Sequence, residues 1–199
     1  MSLVQEGLRG VWGAWRIILR RRDALGFFNL GRAGFWRSFA VIAVLLPLSL
    51  AWSWLHGPSE ALSPLPSAQR WLAEIALEVA ASAIWPVGVY AGARLTGTAA
   101  HWRDFVIVGN WAAPLGWLGL IPAAPLSQLI PYADEPWGAP AILAVVAMAT
   151  ATIAYIYFAL VIARTALRAN WWQAGVAMLI SSGAAAFVAF FPDIIAAGR

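Results

Sequence analysis

Two carboxylates, Glu74 and Glu78, stand four residues apart inside an apolar run. That spacing puts both on one helical face, with Trp85 on the same stripe. At about 1.5 Å per residue, Glu74 lies roughly 4.5 Å inside Trp71 and Glu78 roughly 10 Å inside it. Glu74 can still reach headgroup water, whereas Glu78 is harder to hydrate. An ionisable group at such depth costs about 2.5–3.5 kcal/mol, so it marks a candidate proton or cation site. The alternative is that Glu78 faces a partner helix or a watery cleft, protonated or paired with an arginine. Asn110, in a later apolar run, is the other intramembrane polar candidate, and Tyr155 and Tyr157 either mark a polar pocket or pack among small residues. His101, Arg103 and Asp104 cluster in a short loop, but one His and one carboxylate are too few for zinc. Asp104 is expected to cap the helix that follows it. With no cysteine, no HExxH and no glycine-rich phosphate loop, we expect neither metal nor cofactor, and no catalytic residue.

These residues sit in a chain of 199 residues that is 62% hydrophobic and 11% charged. Soluble domains carry about 25% charged residues, so a water-exposed globule is excluded, as is disorder. The fold class that remains is all-α integral membrane, with five transmembrane helices preceded by an interfacial amphipathic helix. A bilayer core of about 30 Å needs about 20 helical residues. The expected spans run from Phe35 to Leu55, Trp71 to Ala93, Phe105 to about Ile121, Ala139 to Ala163, and Trp171 to Phe191. Pro47, Pro86 and Pro114 fall inside the first three and are expected to kink them. The third is the least regular, since Pro122 and Pro125 interrupt its extension, and it could be short or re-entrant. Residues 1–34 form a basic amphipathic helix and connector, and residues 35–199 form the membrane domain.

In the N-terminal segment Leu8, Val11, Trp12, Trp15, Ile18 and Leu19 share one side of a helix, beside a stripe of Arg9, Arg16 and Arg20. Arg21 and Arg22 extend the basic cluster. Trp and Leu flanked by Arg is the pattern of a helix lying in the headgroup plane; a helix docked on another subunit, or a charged leader, are the alternatives. We therefore take Arg9, Trp12, Trp15, Arg16, Leu19, Arg20, Arg21 and Arg22 as candidate lipid- or partner-binding residues. No cleavage site follows Leu55, so this segment is expected to stay attached.

All 13 basic residues are arginine. Eleven precede the first span or fall in the second-to-third and fourth-to-fifth connections, leaving Arg70 and Arg199 on the other side. The acids Glu60, Asp134, Glu135 and Asp193 lean toward the arginine-poor side. The positive-inside rule then gives a cytoplasmic N-terminus and a C-terminus across the membrane. Membrane topology explains the arginines better than nucleic acid does. Most of the 13 tryptophans stand at span ends, where an apolar ring with a wet N–H is stable. Gly88 with Gly92, and Ala147 with Ala151, allow helices to approach closely, either within the bundle or in a homodimer.

Two stretches resemble the Yip-domain family of small membrane proteins: Gly92 to Gly97 leading into Phe105 to Pro114, and the closing pair Tyr155 to Arg168 and Trp171 to Ser182. They cover less than half of the chain. The resemblance implies a cytoplasmic N-terminal segment, five packed helices and a membrane-organising or adaptor role without catalysis. Arginine and alanine usage without lysine points to a GC-rich bacterial genome, hence an inner membrane. Membrane lipids are the expected partners, with other membrane proteins as the alternative. A transporter or channel component using Glu78 and Asn110, and an accessory subunit of a larger complex, are the competing functions.

Overall fold

The computed structural model describes residues 1–56, 62, 66–120 and 138–191. Among them there are helices and turns and no strand. We number the helices α1 (Leu3–Ile18), α2 (Arg32–Ser38), α3 (Ile42–His56), α4 (Ser67–Leu95), α5 (Trp102–Leu120), α6 (Ala139–Ala166) and α7 (Trp171–Ala189). A single 3-10 turn, Phe39–Val41, joins α2 to α3. The division expected at residue 34 falls inside α2. Pro47, Pro86 and Pro114 lie within α3, α4 and α5, and each helix continues past its proline.

Four stretches are long and apolar enough to cross a membrane: Arg32–Ala51, Ser67–Leu95, Ala141–Ala166 and Trp171–Val188. They correspond to expected spans one, two, four and five. The third expected span, α5, is not among them. Arg103, Asp104, Asn110 and Pro114 lower its mean hydropathy, and its packing shows how they are accommodated. Phe105, Val106, Ile107, Val108, Trp111 and Ala112 are buried, and α1, α2, α4 and α6 all touch this helix. A helix covered by protein has little surface to match to lipid, so it can carry Asn110, Pro114 and its glycines. The spans that do satisfy the criterion are covered far less by the rest of the chain.

The helices alternate in direction. Gly88 and Gly92 of α4 face Ser181 and Ala177 of α7 in antiparallel register. Beside them Tyr90 and Trp85 of α4 meet Trp102 and Phe105 of α5, and Gly116 of α5 meets Tyr155 of α6. The C-terminal ends of α1, α4 and α6 and the N-terminal ends of α5 and α7 consequently share one end of the bundle. This end is rich in arginine. The Gln173 amide there donates to the Thr96 carbonyl at 2.9 Å, joining α7 to the end of α4. The acids Glu60, Asp134, Glu135 and Asp193, and Arg199, which entered the expected charge asymmetry, lie outside the described residues.

Three helices at this end stop in the same way. The Arg21, Thr98 and Ala169 N–H groups reach back five residues to the carbonyls of Arg16, Ala93 and Arg164 at 2.9, 2.8 and 3.0 Å. This closure requires a left-handed residue, usually glycine. Gly97 fills that position after α4, with φ +73°. After α1 and α6 the positions are held by Arg20 and Arg168, at φ 54° and 51°. Such a conformation costs an L-residue with a Cβ about 1–2 kcal/mol. Both sites accept that strain and keep a cation at the negative end of a helix dipole.

Candidate functional site

Two features could carry function. The first is α1. Its N-terminus is fixed by a capping box, in which the Ser2 hydroxyl accepts from the Gln5 N–H at 3.2 Å and the Gln5 side chain accepts from the Ser2 N–H at 3.1 Å. One face, formed by Glu6, Gly10, Gly13, Ala14 and Ile17, is buried. Gly10 lies so close to Trp111 of α5 that an added Cβ would stand 2.5 Å from its indole Cγ. Gly13 admits the Phe28 ring and the Phe27 Cβ in the same manner. The buried Glu6 carboxylate accepts from Arg37 Nη1 at 3.1 Å and from Asn29 Nδ2 at 3.2 Å. The Asn29 segment and α2 are thereby clamped to one acid of α1.

The opposite face carries Leu8, Trp12, Trp15 and Leu19, all exposed, with Trp12 at 52%. This is the surface picked out in the sequence as lipid- or partner-binding. The inner face was not anticipated. Its signal was available in Gly7, Gly10, Ala14 and Ile17, which recur every three or four residues on a second stripe. The arginines divide. Arg16 is engaged, donating to both Asp23 carboxylate oxygens at 2.6 and 2.7 Å and lying over the Phe27 ring. That hydrogen bond holds the Asp23 carboxyl below its ordinary value of 3.8, with the Arg16 charge adding to the effect. Arg20 donates to the Tyr157 hydroxyl of α6 at 2.6 Å. Arg9, Arg21 and Arg22 stay exposed.

The second feature is a cavity of about 300 Å³ bounded by α3, α4, α5, α6 and α7. Its walls are mainly apolar and aromatic, including Leu45, Trp85, Phe105 and Phe158. Its polar lining is Glu78, Ser82, Asn110, Tyr155, Ser181 and Ser182. The structure therefore brings Glu78 and Asn110 into one space. Glu74 is half-buried one turn earlier and does not line it. Asn110 Nδ2 donates to Ser38 Oγ at 2.8 Å, and that hydroxyl donates to the Phe35 carbonyl at 2.7 Å. With its amide fixed, Asn110 has its carbonyl oxygen to offer. Among the described residues no cationic side chain lines the cavity. A carboxyl, three serine hydroxyls, a phenol and an amide carbonyl in a mostly apolar space suit a small cation, a proton or a hydrogen-bond donor.

Gly88 and Gly92 are used inside the chain, since an added Cβ would meet the Ser181 and Ala177 Cα atoms at 2.8 and 2.7 Å. Of the two uses open for that pair, packing within the bundle is the one observed. Ala147 and Ala151 are half-buried on α6. Asp104 lies in the first turn of α5 and pairs with His101 at 3.3 Å. Among the described residues no three His, Asp or Glu side chains gather to hold a metal. Comparison of the chain with family models, with curated proteins and with solved structures finds no match.

Proposed function

We propose that this chain is a non-enzymatic, multi-pass protein of a bacterial inner membrane, with a membrane-organising or adaptor role. In this reading α5 is a fifth crossing helix, the N-terminus is cytoplasmic, and α1 lies in the headgroup plane. The observation that carries it is the division of α1 into two apolar faces. The inner one is locked to the bundle by Glu6 and by glycines fitted to Trp111, while the outer one leaves two tryptophans and two leucines exposed among the described residues. A helix braced on one side and apolar on the other places a fixed hydrophobic ridge, flanked by arginine, where lipid or an amphipathic partner can meet it. The likeness of Gly92 to Pro114 and of the closing helix pair to Yip-domain proteins supports the same role.

The chain has no cysteine, so single reporters are easily placed. A spin label on Trp12→Cys in anionic vesicles is expected to show the oxygen and nickel-chelate accessibility of the headgroup region. Fully aqueous accessibility at residue 12 would remove the interfacial helix from the proposal. Labelling from the two sides at Arg9→Cys and Arg199→Cys tests the odd number of crossings.

A second reading is favoured by the Glu78–Asn110 cavity, namely a transporter or channel component that moves protons or small cations. Proton flux in proteoliposomes that falls on Glu78→Gln would establish it, and flux unchanged from wild type would dismiss it.

A further inference from the structure

A second cavity, of about 250 Å³, opens between the end of α1, the Ala24–Phe27 turn, α6 and α7. Arg20, Arg21, Arg22 and Arg164 line it, with Thr165 and Trp171, and among the described residues no carboxylate contributes to its walls. We propose that it holds the phosphate of an anionic phospholipid. The proposal rests on the interfacial placement of α1 and adds to it a particular site and a particular headgroup chemistry.

Three observations converge on an anion. The nearest acid, Asp23, gives both carboxylate oxygens to Arg16 and feels the charge of Arg21 only at longer range, so among the described residues the four guanidinium groups lining the pocket outnumber their one neighbouring acid. Two of the four are held in place by aromatic side chains. Arg20 donates to the Tyr157 hydroxyl, and Arg164 lies over the Trp171 ring at 4.7 Å. Trp171 in turn stacks with Tyr157, which ties the two arginines to one platform. Finally, Arg20 occupies a left-handed position that glycine would fill without strain, so a cation is kept there against the backbone's preference. Each guanidinium retains several N–H donors after these contacts, and its fork matches two phosphate oxygens at once.

A lipid, rather than free phosphate, is favoured by what lies next to the pocket. Ile153 and Ile156 of α6 are exposed and apolar just beyond Tyr157, and Trp15 and Leu19 of α1 are exposed on the near side. A phosphate seated among the arginines would send acyl chains along this apolar surface. Basic pockets between membrane helices bind anionic headgroups by this combination of charge and chain contact.

Native mass spectrometry of the full chain in a neutral detergent, titrated with dioleoyl phosphatidylglycerol, tests the site. One lipid is expected to stay bound per chain, and dioleoyl phosphatidylcholine is expected not to. The double change Arg21→Gln/Arg22→Gln keeps the Arg20–Tyr157 and Arg164–Trp171 contacts, and should weaken retention about 25-fold, roughly fivefold for each charge removed near the lipid. Arg164→Gln, which removes one charge, should weaken retention about fivefold without altering α1. Retention equal to wild type in both variants would overturn the proposal. So would displacement of the lipid by inorganic phosphate at equal concentration, which would give the pocket to a soluble anion. Trp12→Ser/Trp15→Ser separates this site from the wider reading: loss of retention there, with full retention in the arginine variants, would place the lipid on the α1 ridge and refute the pocket. Loss of interfacial labelling at residue 12, with phosphatidylglycerol still retained, would refute the ridge and leave the pocket standing.

Discussion

The two halves of α4 meet the rest of the bundle in opposite ways. Toward its C-terminus, Gly88 and Gly92 bring its backbone against the Ser181 and Ala177 Cα atoms of α7, and nothing fits between them. Toward its N-terminus, Glu78, Ala81 and Ser82 face α3, α5 and α6 across about 300 Å³ of open space. One helix thus seals and fails to seal within about four turns. In lipid there is little hydrophobic gain from helix association, so contact depends on small residues that allow backbones to approach. Where α4 offers glycine the seam closes. Where it offers a carboxylate and a hydroxyl, space and polarity are kept together. Ser181 belongs to both regions, with its Cα on Gly88 and its side chain on the cavity wall.

The sharpest way to break this contrast is Gly92→Leu. Its Cβ would meet helix backbone, which cannot move aside, so the loss should be about 3 kcal/mol, at the upper end for overpacking. Thermal denaturation in detergent would show a marked drop in melting temperature, and an unchanged value would mean that the seam is not close-packed. Next is Arg37→Gln, which leaves the buried Glu6 carboxylate with Asn29 alone; about 2 kcal/mol is expected, the range for a hydrogen bond to a charged group. If α1 is a loosely held leader, that variant will melt like wild type.

Ser82→Leu enters open space and should cost less than about 1 kcal/mol, since it meets no well-packed core. It should also reduce any uptake of small cations measured in proteoliposomes. A cost as large as that of Gly92→Leu would mean the cavity is filled. The smallest effect belongs to the Arg16–Asp23 pair. The folded Asp23 carboxyl titrates below its ordinary 3.8, so its contribution is present above 3.8 and is lost as the pH falls through the lowered value. Melting temperatures of wild type and Asp23→Asn should differ slightly at neutral pH and converge in acid.

Helix content, and the four expected spans that appear as stretches long and apolar enough to cross a membrane, were legible because they depend on long apolar runs punctuated by Arg, Trp and Pro. The fifth, α5, is different. Asn110, Pro114 and six tryptophan or glycine positions lower its hydropathy, and only the tertiary contacts of Phe105 to Ala112 show why that is tolerated. Glu78 stood out as a charge in an apolar run, and Asn110 as an amide in another. Their shared cavity did not, because it depends on how α4 and α5 cross. The outer ridge of α1 was visible since Leu and Trp register as hydrophobic. Its inner face escaped notice because Gly10 and Gly13 carry no side chain, and their role is defined by Trp111 and Phe28 lying far along the chain. Glu6 likewise resembled an ordinary first-turn acid until Arg37, thirty-one residues away, supplied its partner.

The seclusion of α5 has a consequence for biogenesis. Its flanks are covered by α1, α2 and α4, which the ribosome delivers earlier, and by α6, which it delivers later. On the proposed five-crossing reading, a segment too weakly apolar to leave the translocon unaided would have to be retained there until its last neighbour emerges. Chains truncated just after residue 120 should therefore stall in the insertion machinery, while those extended through residue 166 should be released into the bilayer.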